Sequence, residues 1–125
     1  MTAITRDLEP LVPPGATVQV MDTTAGGVHA LLRLHLRQPT RFIYDFPFFH
    51  DVGDPRIEAL RAELIDGLEA GRPAAIVVLE ESWPDPRWGY RRLETFPRLL
   101  EYLARAYAPP LEGPGYRIYA KRSDP

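Results

Sequence analysis

Between Pro39 and Glu81 the chain reads as strand, helix and strand with almost no slack, and this stretch constrains the fold more than any other. Arg41 to Phe46 alternates, with Phe42, Tyr44 and Phe46 on one face. Its aromatic and β-branched content suits a pleated, half-buried strand. Asp54-Pro55 starts a helix, because the carboxylate can accept free amide hydrogens of a first turn and proline at N1 has none to lose. Ile57, Leu60, Leu64, Ile65 and Leu68 then form one apolar stripe. Gly71 is placed to end the helix with a positive φ. Ala74 to Leu79 is almost unbroken apolar sequence, as expected of a strand covered on both faces, and parallel central strands are covered in that way.

The flanking sequence extends this unit. Residues 1–14 read as a lead, flexible or short and helical over Thr5–Leu11, and residues 15–125 as one α/β domain. Pro13-Pro14-Gly15 makes a turn into a strand at Val18–Met21. A helix is expected over Val28–Arg37, with Val28, Leu31, Leu32, His35 and Leu36 largely on one side and Pro39 ending it. Thr95 is placed to cap a last helix running to Tyr107, with Leu99, Leu100, Leu103 and Tyr107 inward and Pro97 tolerated in the first turn. Tyr116–Lys121 alternates as a final strand. The order β-α-β-α-β-α-β predicts a small three-layer α/β sandwich. It has a mainly parallel four-stranded sheet and three flanking helices, a Rossmann-like or flavodoxin-like fragment. Across the sheet the expected order is 41–46, 18–21, 74–79, 116–121, with the direction of the last strand open. Glu81–Arg92 is either an ordered surface loop or carries a local helical turn.

At 125 residues the chain is the size of one domain, able to bury roughly two thirds of its unfolded surface. Its 14 prolines fall mostly between periodic segments and read as loop stiffeners. A formal net charge of −2 argues against wholesale nucleic-acid binding. The absence of cysteine excludes disulfides, thiol catalysis and thiolate metal sites. No apolar window approaches the length that spans a bilayer, and the first residues lack the apolar segment of a signal peptide.

Candidate chemistry lies in three places. The Asp22–Gly27 connection leaves a strand and enters a helix, so Asp22, Thr23, Thr24, Gly26 and Gly27 could cradle a phosphate with backbone N–H groups; the plainer reading is a βα turn. It lacks the glycine order of a dinucleotide fingerprint and the lysine of a P-loop, so no cofactor is expected. Asp45, His50 and Glu80 join Asp22 as a possible ligand rim, because the C-terminal ends of parallel strands share one edge where ligands bind. The alternative is that these carboxylates face water or cap helices. The three histidines do not cluster, His35 reads as a packing residue, and no metal set or nucleophile triad is spaced by sequence, so no catalytic or metal residue is assigned. The third place is a basic and aromatic loop of Trp83, Arg87, Trp88, Tyr90, Arg91 and Arg92, offset by nearby Glu and Asp, which suits a protein or membrane face better than RNA.

Several stretches together resemble a known family. They are Val18-Gln19-Val20-Met21-Asp22, Gly27–Leu36, Pro39-Thr40-Arg41-Phe42-Ile43-Tyr44-Asp45, Arg61-Ala62-Glu63-Leu64, Pro73-Ala74-Ala75-Ile76-Val77-Val78, Phe96-Pro97 with Leu100 and Tyr107, and Tyr116-Arg117-Ile118-Tyr119. From Val18 to Arg122 the chain resembles the soluble C-terminal domain of polytopic membrane glycosyltransferases of the dolichyl-phosphate-mannose protein mannosyltransferase-like superfamily, which use polyprenyl-phosphate sugars. The resemblance implies a non-catalytic extracytoplasmic accessory domain, periplasmic or extracellular, that assists acceptor binding or shapes the active-site side of the membrane portion. Its partners would be that membrane portion and a glycan or lipid headgroup, with no nucleic acid. In that family the catalytic acids lie in loops of the membrane portion, so none carries over to these residues. The chain is expected to be an excised domain or a stand-alone relative. If the resemblance does not hold, the alternative is a small cytoplasmic enzyme or ligand-binding domain using the rim of Asp22, Asp45 and Glu80.

Overall fold

The computed structural model describes residues 3–22, 27–42, 45, 47–50, 53–81 and 87–122, with the backbone alone at 27–29 and 50. Four strands form one sheet: β1 (Val18–Met21), β2 (Ala75–Leu79), β3 (Leu111–Gly113) and β4 (Tyr116–Ala120), in the order β1-β2-β4-β3. As expected, the most apolar strand is internal. All five β2 residues are buried, with Ala75, Val77 and Leu79 in one core and Ile76 and Val78 in the other. Helices α1 (Ala3–Leu8) and α2 (Gly27–Arg33) cover the first face through Ile4, Leu8, Ala30 and Leu31. The opposite face carries α3 (Pro47–His50), α4 (Pro55–Gly71), a 3-10 helix (Gly89–Thr95) and α5 (Pro97–Ala106).

The sheet is mixed, not mainly parallel: β1 pairs with β2 in parallel, but β2–β4 and β4–β3 are antiparallel. The cause is a hairpin that the sequence reading missed. Pro114 and Gly115 link Gly113 to its partner Tyr116, with Gly115 at φ 82°, so β3 and β4 must run in opposite directions. The chain leaves α5 beside the start of β2, where Tyr107 Oη donates to Pro73 O at 2.7 Å and Ala108 N to Ala120 O. From there it runs up β3 and returns down β4.

None of the described residues of the expected strand Arg41–Phe46 belongs to this sheet. Ile43, Tyr44 and Phe46 lie outside the described residues, while Arg41, Phe42 and Asp45 have irregular backbone. The segment nevertheless lies where strand pairing would have put it, along the outer edge of β1. Val18 N donates to Arg37 O at 2.9 Å and Asp45 N to Asp22 O at 2.7 Å. Between them the side-chain amide of Gln38 replaces a strand, its Oε1 accepting from Val20 N at 2.9 Å and its Nε2 donating to Phe42 O at 3.0 Å. Buried Gln19 reaches across to Phe42 O at 3.2 Å and accepts from Thr40 Oγ1 at 2.7 Å. The edge that would template aggregation is thereby covered.

Helix α4 begins as expected, with Asp54 Oδ1 accepting from Arg56 N at 2.8 Å, and buries Leu64, Ile65 and Leu68. Its left-handed cap is Arg72 (φ 44°), not Gly71. Gly71 serves close approach instead, since a Cβ there would stand 2.4 Å from Pro39 Cβ. Helix α5 is entered from Phe96 with no side-chain cap, so Thr95 does not have its expected role, and Leu100 is exposed. Helix α2 stops at Arg33. His35 follows it with φ 55° and is exposed rather than packed, and Leu32 points outward at 71% exposure.

Candidate functional site

The parallel pair places the C-terminal ends of β1 and β2 side by side, at the edge where the sequence reading expected a ligand rim. What fills it is Arg92. Its Nε and Nη2 donate to Asp45 Oδ2 at 3.1 and 2.8 Å, its Nη2 to Leu79 O at 2.7 Å and more weakly to Met21 O at 3.5 Å, and its Nη1 to Gly89 O at 2.7 Å. One guanidinium therefore ties the last residue of each parallel strand to the covering loop and to the 3-10 helix. Both partners of the ion pair are buried, the side chains 1% and 2% exposed. Arginine suits this position because its fixed planar fork serves several acceptors at once while its charge is met by one carboxylate.

The other rim residues do not complete an open site. Asp22 is buried next to Asp45, and Glu80 points to solvent while its N–H donates to Gly115 O at 2.8 Å. Thr23, Thr24 and Gly26 lie outside the described residues, Gly27 opens α2, and His50 ends α3. Among the described residues no three His, Cys, Asp or Glu side chains are grouped to hold a metal ion.

A second arginine, given no role in the sequence reading, stands behind Arg92. Arg61 falls on the buried stripe of α4 and is 6% exposed. Its Nε donates to Phe48 O at 2.9 Å, its Nη2 to Thr95 Oγ1 at 3.2 Å and its Nη1 to Thr95 O, while its guanidinium lies 4.4 Å from the Phe96 ring centroid. Burial draws its pKa down, with the nearby Glu58 charge opposing. Phe49 separates the two arginines, its ring 5.8 Å from Arg61 Cζ and 5.5 Å from Arg92 Cζ. Together these groups form a rigid polar and aromatic base under the 3-10 helix.

On that base sits a cleft of about 640 Å³ lined by Phe49, Arg87, Trp88, Arg91, Arg92, Glu94 and Thr95. The size is that of a small-ligand site. Arg87 and Arg91 are exposed, Trp88 is half-buried, and Arg91 Nε stands 3.8 Å from Glu94 Oε2. Four of the six residues expected to form an interaction loop thus share one cleft. Trp83 lies outside the described residues, and Tyr90 turns away to stack on Arg117, whose Cζ is 3.9 Å from the ring centroid. Burial first, then the charge of Glu80, raises the Tyr90 pKa. Arg87 also borders a second cleft of about 620 Å³ that includes Glu80, Glu81 and Tyr116. A signal for Arg61 was present, because it lies on the same helix face as Leu64, Ile65 and Leu68. For Arg92 there was none, since its partners come from four separate segments.

The fold and cleft define a small α/β domain with a mixed four-stranded sheet, helices on both faces and a basic, aromatic groove beside the ends of its parallel strands. No helix among the described residues is long and apolar enough to cross a membrane. No protein-family model, curated protein or solved structure matches the chain.

Proposed function

We propose that the chain is a non-catalytic accessory domain of a membrane-bound glycosyltransferase that uses polyprenyl-phosphate sugars. It would sit on the extracytoplasmic side, with the cleft at Arg87, Trp88 and Arg91 turned toward the membrane portion and its acceptor. The parent enzyme is the one implied by the sequence resemblance. The observation that carries the non-catalytic reading is the clamp at Arg92. A general acid or base must reach substrate, and Asp45, the central carboxylate of the rim, is buried against a guanidinium. The chemistry left to the chain is that of its surface, where aromatic and arginine side chains supply contact area and anion recognition.

Glycosyl transfer from a lipid phosphate requires a site at the bilayer that positions donor against acceptor. The 125-residue chain alone should therefore transfer no sugar from a polyprenyl-phosphate donor to protein, lipid or sugar acceptors. The parent enzyme should lose activity on Trp88→Ala and Arg91→Ala at matched expression. Turnover by the isolated chain would overturn the reading, as would full activity of both parent variants.

A further inference from the structure

We infer that the end of the sheet opposite the cleft is a docking surface for an anionic phospholipid bilayer. The inference goes beyond the proposed function and stands without it, since it concerns different residues. The cleft lies at the C-terminal ends of β1 and β2, and the opposite end holds their first residues beside the last of β4. Five segments meet there: 12–17, 33–38, 71–74, 104–110 and 121–122. Backbone bonds tie them together, with Val18 N donating to Arg37 O at 2.9 Å, Ala74 N to Thr17 O at 2.8 Å, Lys121 N to Ala74 O at 2.9 Å and Arg122 N to Ala106 O at 3.1 Å. The segments carry Arg33, Arg37, Arg72, Arg105, Lys121 and Arg122, and no Asp or Glu. All six cations are exposed. A chain with a formal net charge of −2 has therefore gathered positive charge at one end.

Few carboxylates offset these cations. Among the described residues, Arg105 alone of the six meets a carboxylate, with its Nη2 3.6 Å from Glu69 Oε1. Arg122 Nη2 donates to a carbonyl, Ala104 O, at 3.4 Å. Glu9, Asp66 and Glu101 are set back along their helices by about a turn, about 5 Å. Asp124 follows Arg122 in the chain and lies outside the described residues. Counting Glu69 and Asp124 against the six cations still leaves an excess of four. The arrangement selects lipid. The charges come from five segments across one blunt end, so no single helix or strand presents them to a nucleic-acid groove. The only Phe, Tyr or Trp of these segments is Tyr107, 1% exposed, which leaves no platform on which bases could stack. Leu32, 71% exposed beside Arg33, and the exposed Pro13, Pro14 and Pro109 give the same end apolar tips. An anionic headgroup layer accepts both kinds of group, because it sets phosphates above hydrocarbon. With this end on lipid, the cleft at the other end stays open.

The test is sedimentation of the 125-residue chain with vesicles of phosphatidylglycerol or of phosphatidylcholine at low salt. Each Lys or Arg near an anionic surface strengthens binding about fivefold, so four in excess should favour phosphatidylglycerol by about a few hundredfold. Raising the salt should release the chain, because screening shortens the reach of exposed charges. Arg37→Gln and Lys121→Gln should each weaken binding about fivefold, and together about twenty-five-fold, with the thermal unfolding midpoint unchanged. Arg98→Gln removes the same charge about 10 Å further up α5 from Arg105 and should leave binding within about twofold. Equal binding to both kinds of vesicle overturns the inference, as does no binding to phosphatidylglycerol. So does a loss in Arg98→Gln as large as in Arg37→Gln, which would show an effect of net charge alone. Tighter binding to duplex DNA or polyglutamate than to phosphatidylglycerol vesicles would assign the surface to another partner and overturn it as well. The accessory-domain reading fails on a different result, the transfer assay of the parent, so the two can fall separately.

Discussion

Replacing Arg92 by methionine tests the centre of the structure. The substitution keeps a long unbranched stem but leaves the Asp45 carboxylate buried without its cation, and takes the donor from Leu79 O and Gly89 O. Breaking a buried pair by removing one partner costs about 3–5 kcal/mol. Domains of this size have about 5–15 kcal/mol of stability in total, so the variant should stay folded but lose much of its margin. With a urea slope of about 1–3 kcal/mol per molar, the unfolding midpoint should fall by about 2 M. Removing the carboxylate as well, in Arg92→Met with Asp45→Leu, should recover part of that loss, because no isolated charge is then buried. The residual cost comes from the carbonyl groups left without a donor. Urea unfolding of the two single variants and the double variant, followed by far-ultraviolet circular dichroism, closes the cycle. A loss below about 1 kcal/mol for Arg92→Met, or a double variant as unstable as the sum of the singles, would refute the clamp.

Three other perturbations probe the scaffold. Leu64→Ala deletes a fully buried side chain from the α4 stripe and should cost about 2–5 kcal/mol by chemical denaturation. Asp54→Ala removes the α4 cap and should cost about 1 kcal/mol. Arg56, by side chain and then backbone, holds the Asp54 pKa below its ordinary 3.8, so the cap's contribution is complete above that pH and is lost as pH falls through the lower folded value. A pH series comparing wild type with Asp54→Ala should therefore converge in acid. Gly113→Ala places a Cβ 2.1 Å from Tyr116 Cζ, in a ring pinned by donation to Asp7, and should lower the thermal midpoint and change the Tyr116 environment in near-ultraviolet circular dichroism.

Much of the fold follows from local pattern. The apolar run at 74–79 required burial on both faces, and the stripe of α4 required a helix on one of them, because period and burial are properties of neighbouring residues. The neighbour order of β1, β2 and β4 was legible for the same reason. Strand type was not. Phe42 has the alternating aromatic context of a strand, yet the Gln38 side-chain amide bridges it to Val20 N of β1, and Gln19, itself in β1, donates its side-chain amide to Phe42 O, a substitution that no periodicity reveals. The two-residue hairpin was marked by Gly113-Pro114-Gly115, but β3 is three residues long and mostly exposed, too short to show a period.

The residue types of the cleft were readable as well, because Arg87, Trp88 and Arg91 sit close together in the chain. What only the tertiary structure decided is which charges are free to act. Arg91 and Arg92 are adjacent and chemically identical, yet one side chain is 85% exposed and the other 1%. The difference arises because the parallel ends of β1 and β2 leave carbonyl groups and Asp45 converging on one point, and a buried carboxylate there requires a cation. That requirement comes from residues up to 71 positions away in sequence, and it turns a predicted ligand rim into the structural support of the groove beside it.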